Sequence, residues 1–254
     1  MNTFASRTGV VVGLDDSAPV SAAVGWAVEY ARGHHLPLRV VAAGRSGGAA
    51  ERRRELLDLT VLLCRSTALG LPVSGCVAEG EMPAALIEAA HGPEILVVGG
   101  RENVPVERIL AAASCPVVVV RSARWPNPAS PVVVGLDGSD ADDAPLSLAF
   151  DVAAHTVAPL VAVHARCEPV HRGVTPEATV ERLRSWGEKY PRVSVRCTDA
   201  HDRAVPAILA DAKVAGLVVV GPAGPGGIVR HLVHEAACPV LVACGAPELV
   251  GARS

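Results

Sequence analysis

Short, continuously apolar runs alternate along this chain with longer segments in which apolar residues recur every three or four positions. The runs are typical of buried parallel strands, and the longer segments are typical of amphipathic helices that cover both faces of a sheet. The runs predict ten strands: Val10–Leu14, Leu38–Ala42, Val73–Ala78, Ile95–Val98, Val117–Val120, Val132–Leu136, Leu160–His164, Val193–Cys197, Leu217–Val220 and Val240–Ala243. The segments between them predict eight helices: Val20–Arg32, Ala49–Leu69, Met82–Ala90, Pro105–Ala113, Asp142–Ala154, Pro176–Lys189, Val205–Val214 and Ile228–Ala236.

The pattern occurs twice. V-V-V-G-L-D at Val10–Asp15 returns at Val132–Asp137, and Cys115-Pro116-Val117 returns as Cys238-Pro239-Val240, each about 122 positions later. The chain is therefore predicted to be α/β, with two tandem, doubly wound, five-stranded parallel sheets. Domain 1 is expected to span residues 1–121, a proline-containing linker 122–130, and domain 2 residues 131–254. A ligand of such a sheet is expected beyond the carboxyl ends of its strands.

Composition narrows the range of partners. The formal net charge is −3 and aromatic residues make up 3% of the chain, which argues against nucleic acid as a partner. No apolar run approaches the length of a membrane span, and the first residues lack the apolar core of a signal peptide. A cytoplasmic protein that uses neither nucleic acid nor membrane is expected.

A glycine-rich turn, Gly221–Gly227, joins the fourth strand of the second copy to a helix. Free N–H groups at such a helix start, together with the helix dipole, favour an anion. Asp137, Gly138 and Ser139 follow the first strand of the same copy, and Asp137 is placed where a ribose or base could reach it. The alternative is structural: Ser139 caps a helix, and the glycines only permit a tight connection.

Other polar clusters point to no further chemistry. The acidic cluster Asp140, Asp142 and Asp143 is explained by the dipole at a helix start. His231 and His234 are spaced for a metal, but no third ligand is evident, so a solvated helix face is expected. No nucleophile, base and orienting group can be assembled, so no catalytic residue, no resident metal and no enzyme activity are expected.

Several motifs together resemble the universal stress protein (UspA-like) family, in a tandem form. They are V-G-L-D-G-S at Val134–Ser139, His164-Ala165, Glu79-Gly80-Glu81-Met82-Pro83, V-V-V-G-P-A-G at Val218–Gly224 and A-A-C-P-V-L-V at Ala236–Val242. The resemblance implies a Rossmann-like fold of the adenine nucleotide alpha hydrolase-like class and a role as a stress-response regulator. It also implies an intrachain pseudo-dimer with a pseudo-twofold axis, across which the last strands of the two copies pair around Val118 and Leu241. A homodimer and protein partners of unknown identity are compatible with it.

The resemblance also implies a nucleotide site in the second copy for ATP, ADP or AMP, with Mg²⁺ only when a nucleotide is bound. Its residues would be Asp137, Gly138, Ser139, Ala165, Gly221, Gly224, Gly226 and Gly227. This chain departs from the family's phosphate loop in two ways. Only Pro225 separates Gly224 from Gly226, where the family has a longer spacer before a glycine. Gly227 then stands where the family has a residue with a hydroxyl group. In the first copy, Asn103 and Val104 replace that glycine and hydroxyl. We therefore expect weak binding in the second copy and a structural first copy; the alternative is a scaffold without nucleotide that acts through protein–protein interaction.

Overall fold

The computed structural model describes residues 9–14, 22–44, 49–90, 92–99, 106–121, 130–164, 176–200, 204–222 and 227–244. The chain divides into two compact units, Met1–Ala123 and Arg124–Ser254. Apart from residue 130, the predicted linker lies outside the described residues, and its limits stay a prediction.

The first unit is a five-stranded parallel sheet with four helices. Its elements are β1 (Val10–Leu14), α1 (Ala22–Gly33), β2 (Leu38–Gly44), α2 (Ala50–Thr67), β3 (Val73–Glu79), α3 (Met82–Ala89), β4 (Ile95–Gly99), α4 (Val106–Ala112) and β5 (Val117–Val120). The strand order is β3-β2-β1-β4-β5, and each neighbouring pair is parallel. The order therefore reverses between β1 and β4.

The second unit repeats this arrangement. Its elements are β6 (Val132–Leu136), a 3₁₀ turn (Asp140–Asp142), α5 (Asp143–Thr156), β7 (Leu160–His164), α6 (Pro176–Lys189), β8 (Val195–Asp199), α7 (Ala204–Ala212), β9 (Leu217–Val220), α8 (Ile228–Glu235) and β10 (Val240–Val242). The strand order is β8-β7-β6-β9-β10, again parallel throughout. The predicted fold class, two tandem five-stranded α/β units, is confirmed. The pairing of the last strands of the two copies stays a prediction.

The central strand of each sheet has the same sequence, V-V-V-G-L, in β1 and β6. Its valines and leucine are buried, as expected for a strand with a neighbour on either side and helices on both faces. The glycine of each strand lies under an aliphatic side chain of the helix that follows the third strand of its sheet: Leu86 of α3 over Gly13, and Ile208 of α7 over Gly135. These helices can approach the sheet closely because that position carries no side chain.

The outermost strands correct one expectation. Both faces of every strand were expected to be covered, but β3 has exposed residues along most of its length and β8 is exposed from Arg196 to Asp199. Within its unit each of these strands pairs with one neighbour only, and β8 carries polar side chains that stay in water. β8 also begins at Val195 and not at the predicted Val193, which is buried in the turn before it.

Among the described residues, no helix is both long enough and apolar enough to cross a lipid bilayer.

Candidate functional site

The carboxyl ends of β6 and β9 lie side by side, at the reversal of strand order in the second unit. Val134 of β6 is paired with Val219 of β9, so the two strands end at the same edge of the sheet. Asp137 follows the end of β6, and Gly221 follows the end of β9. Two parts of the predicted site that are far apart in sequence are thus brought to one edge, where open α/β sheets hold their ligands.

The Asp137 turn, residues Asp137 to Ser139, is fixed by carboxylates. Asp137 Oδ1 accepts a hydrogen bond from the Ser139 N–H at 2.9 Å. Gly138 has a φ of +83°, a conformation that glycine adopts without strain. Ser139 precedes the 3₁₀ turn but makes no side-chain cap hydrogen bond, so the capping role expected for its hydroxyl is wrong. The aspartate two residues earlier binds the Ser139 amide instead.

Asp142 lies behind this turn and is only 5% exposed. Its Oδ1 accepts from the Asp137 N–H at 3.2 Å, and its Oδ2 accepts from the Gly138 N–H at 2.8 Å. Burial raises the pKa of the Asp142 carboxyl to about 6, and the negative charge of Asp137 adds to the rise, while the two backbone hydrogen bonds and Arg182 oppose it. The helix dipole was expected to explain all three acids of this cluster; for Asp142 that was wrong, because its side chain points inward and shapes the turn.

Arg182 of α6 also holds this turn, through its guanidinium group. Its guanidinium donates to the backbone oxygen of Ser139 and, at 3.1 Å, to Oδ1 of Asp140, and its Nε lies 3.8 Å from the carboxylate of Asp143. No motif in the sequence marks Arg182 as part of this edge. A bond across 42 positions appears only when α6 is packed in place.

An aromatic cluster packs α6 against α5. The Phe150 ring of α5 lies 6.1 Å from that of Trp186 on α6 and 5.5 Å from that of Tyr190, the residue that follows α6. Trp186 is one helical turn beyond Arg182, so this packing also sets the position of the guanidinium. The hydrophobic core and the polar edge of the second unit are connected through this helix.

A histidine–aspartate pair lies beside the turn. His164 at the end of β7 is 2% exposed, and its Nδ1 donates to Oδ1 of Asp199 at 3.0 Å. His164 is level with Leu136, the residue before Asp137, and Asp199 is level with His164. In the first unit the residues level with Leu14 are Ala42 and Val77, so the polar pair is particular to the second unit. The His164-Ala165 motif is visible in the sequence, but the sequence does not show that Asp199 is the partner of the histidine.

On the glycine side, Gly227 has a φ of +68° and immediately precedes α8. The backbone N–H and the Nδ1 of His231 each lie 3.1 Å from the Gly227 oxygen, so this histidine secures the first turn of the helix. Ala165, Gly224 and Gly226 lie outside the described residues, as does Pro225. The ligand contacts of all eight site residues stay predictions.

The corresponding edge of the first unit is described in part. Gly99 ends β4, and β4 pairs with β1 as β9 pairs with β6. Asp15, Asp16 and Ser17, and the Asn103 and Val104 that replace the family's residues, lie outside the described residues.

Relatives of the chain are found among curated proteins and among solved structures, whereas no family model matches it. A universal stress protein of Mycolicibacterium smegmatis is 31% identical over 288 aligned residues, covering 97% of each chain. One of Mycobacterium tuberculosis is 29% identical over 296 aligned residues, covering 100% of this chain and 99% of the relative. That alignment is longer than the 254 residues of this chain, so this chain lacks residues at positions where the relative has them.

Solved structures agree in fold. The crystal structure of a universal stress protein from Archaeoglobus fulgidus superposes with a TM-score of 0.71 at 15% identity, covering 94% of this chain and 99% of that one. A putative universal stress protein from Pseudomonas aeruginosa gives a TM-score of 0.63 at 18% identity, covering 94% and 93%. Fold, motifs and full-length similarity lead to one conclusion: the chain belongs to the universal stress protein family.

Proposed function

We propose that this chain is a stress-response regulator whose second unit binds an adenine nucleotide weakly at the Asp137 turn. The observation that carries the proposal is the position and construction of that turn. It lies at the reversal of strand order, beside Gly221, and it is held by Asp142 and by Arg182 from α6. Such a preorganised edge is where nucleotides bind in open α/β sheets.

The Asp137 carboxylate suits a ribose. Asp137 is exposed, and an ionised carboxylate has about four lone-pair sites for hydrogen bonds. Its bond to the Ser139 amide orients the group, and a carboxylate is an acceptor suited to the hydroxyls of a ribose. The same bond holds the carboxylate in place before a ligand arrives, which lowers the entropic cost of binding.

The phosphate side is the weaker half of the proposed site. Gly227 and the start of α8 supply backbone N–H groups, and Arg230 lies in the first turn of that helix. One helix start can hold one anion, but a triphosphate needs a wider cradle. The short spacing between Gly221 and Gly227 therefore favours AMP or ADP over ATP. Mg²⁺ would enter only with the phosphates.

The proposal is for binding and not for hydrolysis. Hydrolysis of a nucleoside triphosphate needs a group that positions the attacking water. Neither Asp137, which is bonded to Ser139, nor His164, which is buried against Asp199, is assigned that role.

Thermal or urea unfolding of the full chain with AMP, ADP or ATP, with and without Mg²⁺, tests the proposal. At a ligand concentration about a hundred times the dissociation constant, a specific site adds about 2.7 kcal/mol to the free energy of unfolding. Asp137→Ala should abolish that gain. Asp58→Ala removes an exposed acid from α2 of the first unit and should keep it. No gain with any adenine nucleotide would reject the proposal.

A scaffold role is the second candidate, and one surface favours it. Helix α2 buries Leu57, Val61 and Cys64 against its sheet, yet it also exposes three leucines: Leu59 at 51%, Leu62 at 63% and Leu63 at 39%. The exposed side chains lie on the opposite face of the helix. The corresponding helix of the second unit, α6, exposes mainly charged residues there, such as Glu181, Arg184 and Glu188. An apolar outer face of this kind is typical of protein–protein contacts.

The scaffold candidate is tested with Leu62→Glu in the full chain. Sedimentation at increasing protein concentration measures self-association, and the variant should shift the equilibrium towards the monomer. Val180→Glu is the matched control and should leave association unchanged, because Val180 is an exposed apolar residue of α6, 53% exposed against 63% for Leu62. Equal sedimentation of wild type and Leu62→Glu at all concentrations would argue against self-association through α2.

A further inference from the structure

The amides that shape the Asp137 turn are bound by one buried side chain. The two oxygens of Asp142 accept the N–H groups of Asp137 and Gly138, at 3.2 Å and 2.8 Å. Asp142 is only 5% exposed, so its carboxylate is not presented to a ligand in solvent. Its effect on any ligand at the turn must therefore pass through the backbone it holds.

Among the described residues, the charged groups around Asp142 are few. Asp137 approaches from the turn, Arg182 from α6, and Asp140 and Asp143 belong to its own segment. The guanidinium of Arg182 makes its hydrogen bonds to Ser139 and Asp140 and not to Asp142. The Asp142 carboxylate is thus buried without a direct ion pair. Burial raises its pKa to about 6, although its two backbone donors act in the opposite direction.

We propose that Asp142 is a pH-responsive positioning residue, which holds the Asp137 turn in shape as a carboxylate and loosens it when protonated in mild acid. An ionised carboxylate accepts hydrogen bonds at both oxygens, whereas the protonated acid has one oxygen that carries hydrogen and accepts poorly. The longer bond, to the Asp137 amide, is the first to weaken. The Asp137 carboxylate then loses the backbone geometry that points it towards a ligand.

The response of the turn can be measured without a ligand. Amide chemical shifts of Asp137 and Gly138 in the full chain, followed from about pH 7.5 to about pH 5, should change together with a midpoint near the Asp142 pKa of about 6. In Asp142→Asn that common titration should disappear. In Asp140→Asn it should remain, because the side chain of Asp140 is fully exposed and holds neither amide. Amides that do not titrate, or that titrate equally in Asp142→Asn, would overturn the proposal. Asp142→Ser, which is uncharged and keeps one acceptor, replaces the asparagine variant if that one fails to fold.

Protonation of Asp142 should also weaken ligand binding at the turn. This expectation rests on the proposed function and is tested by the affinity for a ligand. Adenosine is the probe, since it carries the ribose but no phosphate whose charge would respond to the acids nearby. Its dissociation constant should rise at least about threefold from pH 7.5 to pH 5 in the wild type and stay constant in Asp142→Asn. A turn that titrates while adenosine affinity stays constant would overturn the coupling to the ligand. A turn that titrates in a chain that binds neither adenosine nor any adenine nucleotide would remove the proposed function and leave the structural response in place.

Discussion

Gly135 lies directly beneath Ile208: a Cβ atom added to the glycine would come within 2.8 Å of Ile208 Cδ1. The same atom would lie 3.2 Å from Cγ1 of Val220 on the neighbouring strand. Ile208 is 2% exposed and has little room to move away. The glycine of V-V-V-G-L therefore sets the distance between α7 and the sheet that carries the Asp137 turn.

Gly135→Ala should lower the free energy of unfolding by about 1–3 kcal/mol, because it overpacks this contact. Urea unfolding measures the change. Ile208→Val removes the atom that would clash, so the double variant should lose less than the sum of the two single variants. Gly187→Ala is the control: nothing lies within 4 Å of its added carbon, and a glycine inside α6 is replaced with a gain of about 0.5–1 kcal/mol. Equal effects at positions 135 and 187 would contradict the packing argument.

The stability of the chain should carry the signature of Asp142. Its pKa is 3.8 in an exposed setting and about 6 in the fold, so the folded state binds the proton more tightly than the unfolded chain. Protonated Asp142 therefore contributes about 3 kcal/mol to the free energy of unfolding. This contribution is fully present below about pH 4 and is lost as the pH rises through about 6. Urea unfolding of the wild type and of Asp142→Asn at several pH values measures this contribution. The difference between the two proteins isolates Asp142, because all other groups titrate in both. A difference between the two that does not vary with pH would refute this assignment.

Arg182→Ala should lower stability by about 1–2 kcal/mol and increase hydrogen exchange at Ser139, because it removes hydrogen bonds of a charged donor to the turn. Arg184→Ala is the matched control on the same helix. Its ion pairs with Glu181 and Glu188 are 3.6 and 3.8 Å long and exposed, and such pairs contribute little. Exchange at Ser139 that is equally slow in both variants would show that Arg182 does not hold the turn.

Asp199→Ala should lower the free energy of unfolding by about 1 kcal/mol, because the buried His164 imidazole loses its acceptor. The loss stays small because water can reach the position of the partly exposed Asp199 side chain. Asp199→Asn keeps an acceptor oxygen and should recover most of the loss. Thermal unfolding at a fixed pH measures both. If the asparagine and alanine variants were equally destabilised, the hydrogen bond to His164 would not be the reason.

The architecture of both units could be predicted because the strands repeat and their apolar runs are long. The V-V-V-G-L strands and the Cys-Pro corners mark the same points in each half. The exposure of β3 and β8 could not be predicted from local pattern, because it depends on a strand having one neighbour in its sheet. The apolar pattern also predicts that β8 starts at Val193, whereas in the structure Val193 is buried in the turn before the strand.

The candidate site was only partly predictable. Asp137 was identified from its place after a strand, and Gly221 from its turn. The roles of Asp142 and Arg182 depend on which way a side chain points once α5 and α6 are packed, and the sequence pattern carries no such information. Asp199 is likewise a polar residue at the end of a weak strand until β8 pairs with β7 and brings it level with His164.

The identity of β1 and β6 has a consequence for how the chain is made. Each strand is the central one of its sheet, β1 between β2 and β4, β6 between β7 and β9, and both read V-V-V-G-L. By local sequence either strand fits either sheet, so a chain refolding from denaturant has a swapped pairing open to it. On the ribosome the first sheet can close around β1 before β6 has emerged. Directional synthesis thus removes a misfolding route that the duplication itself created.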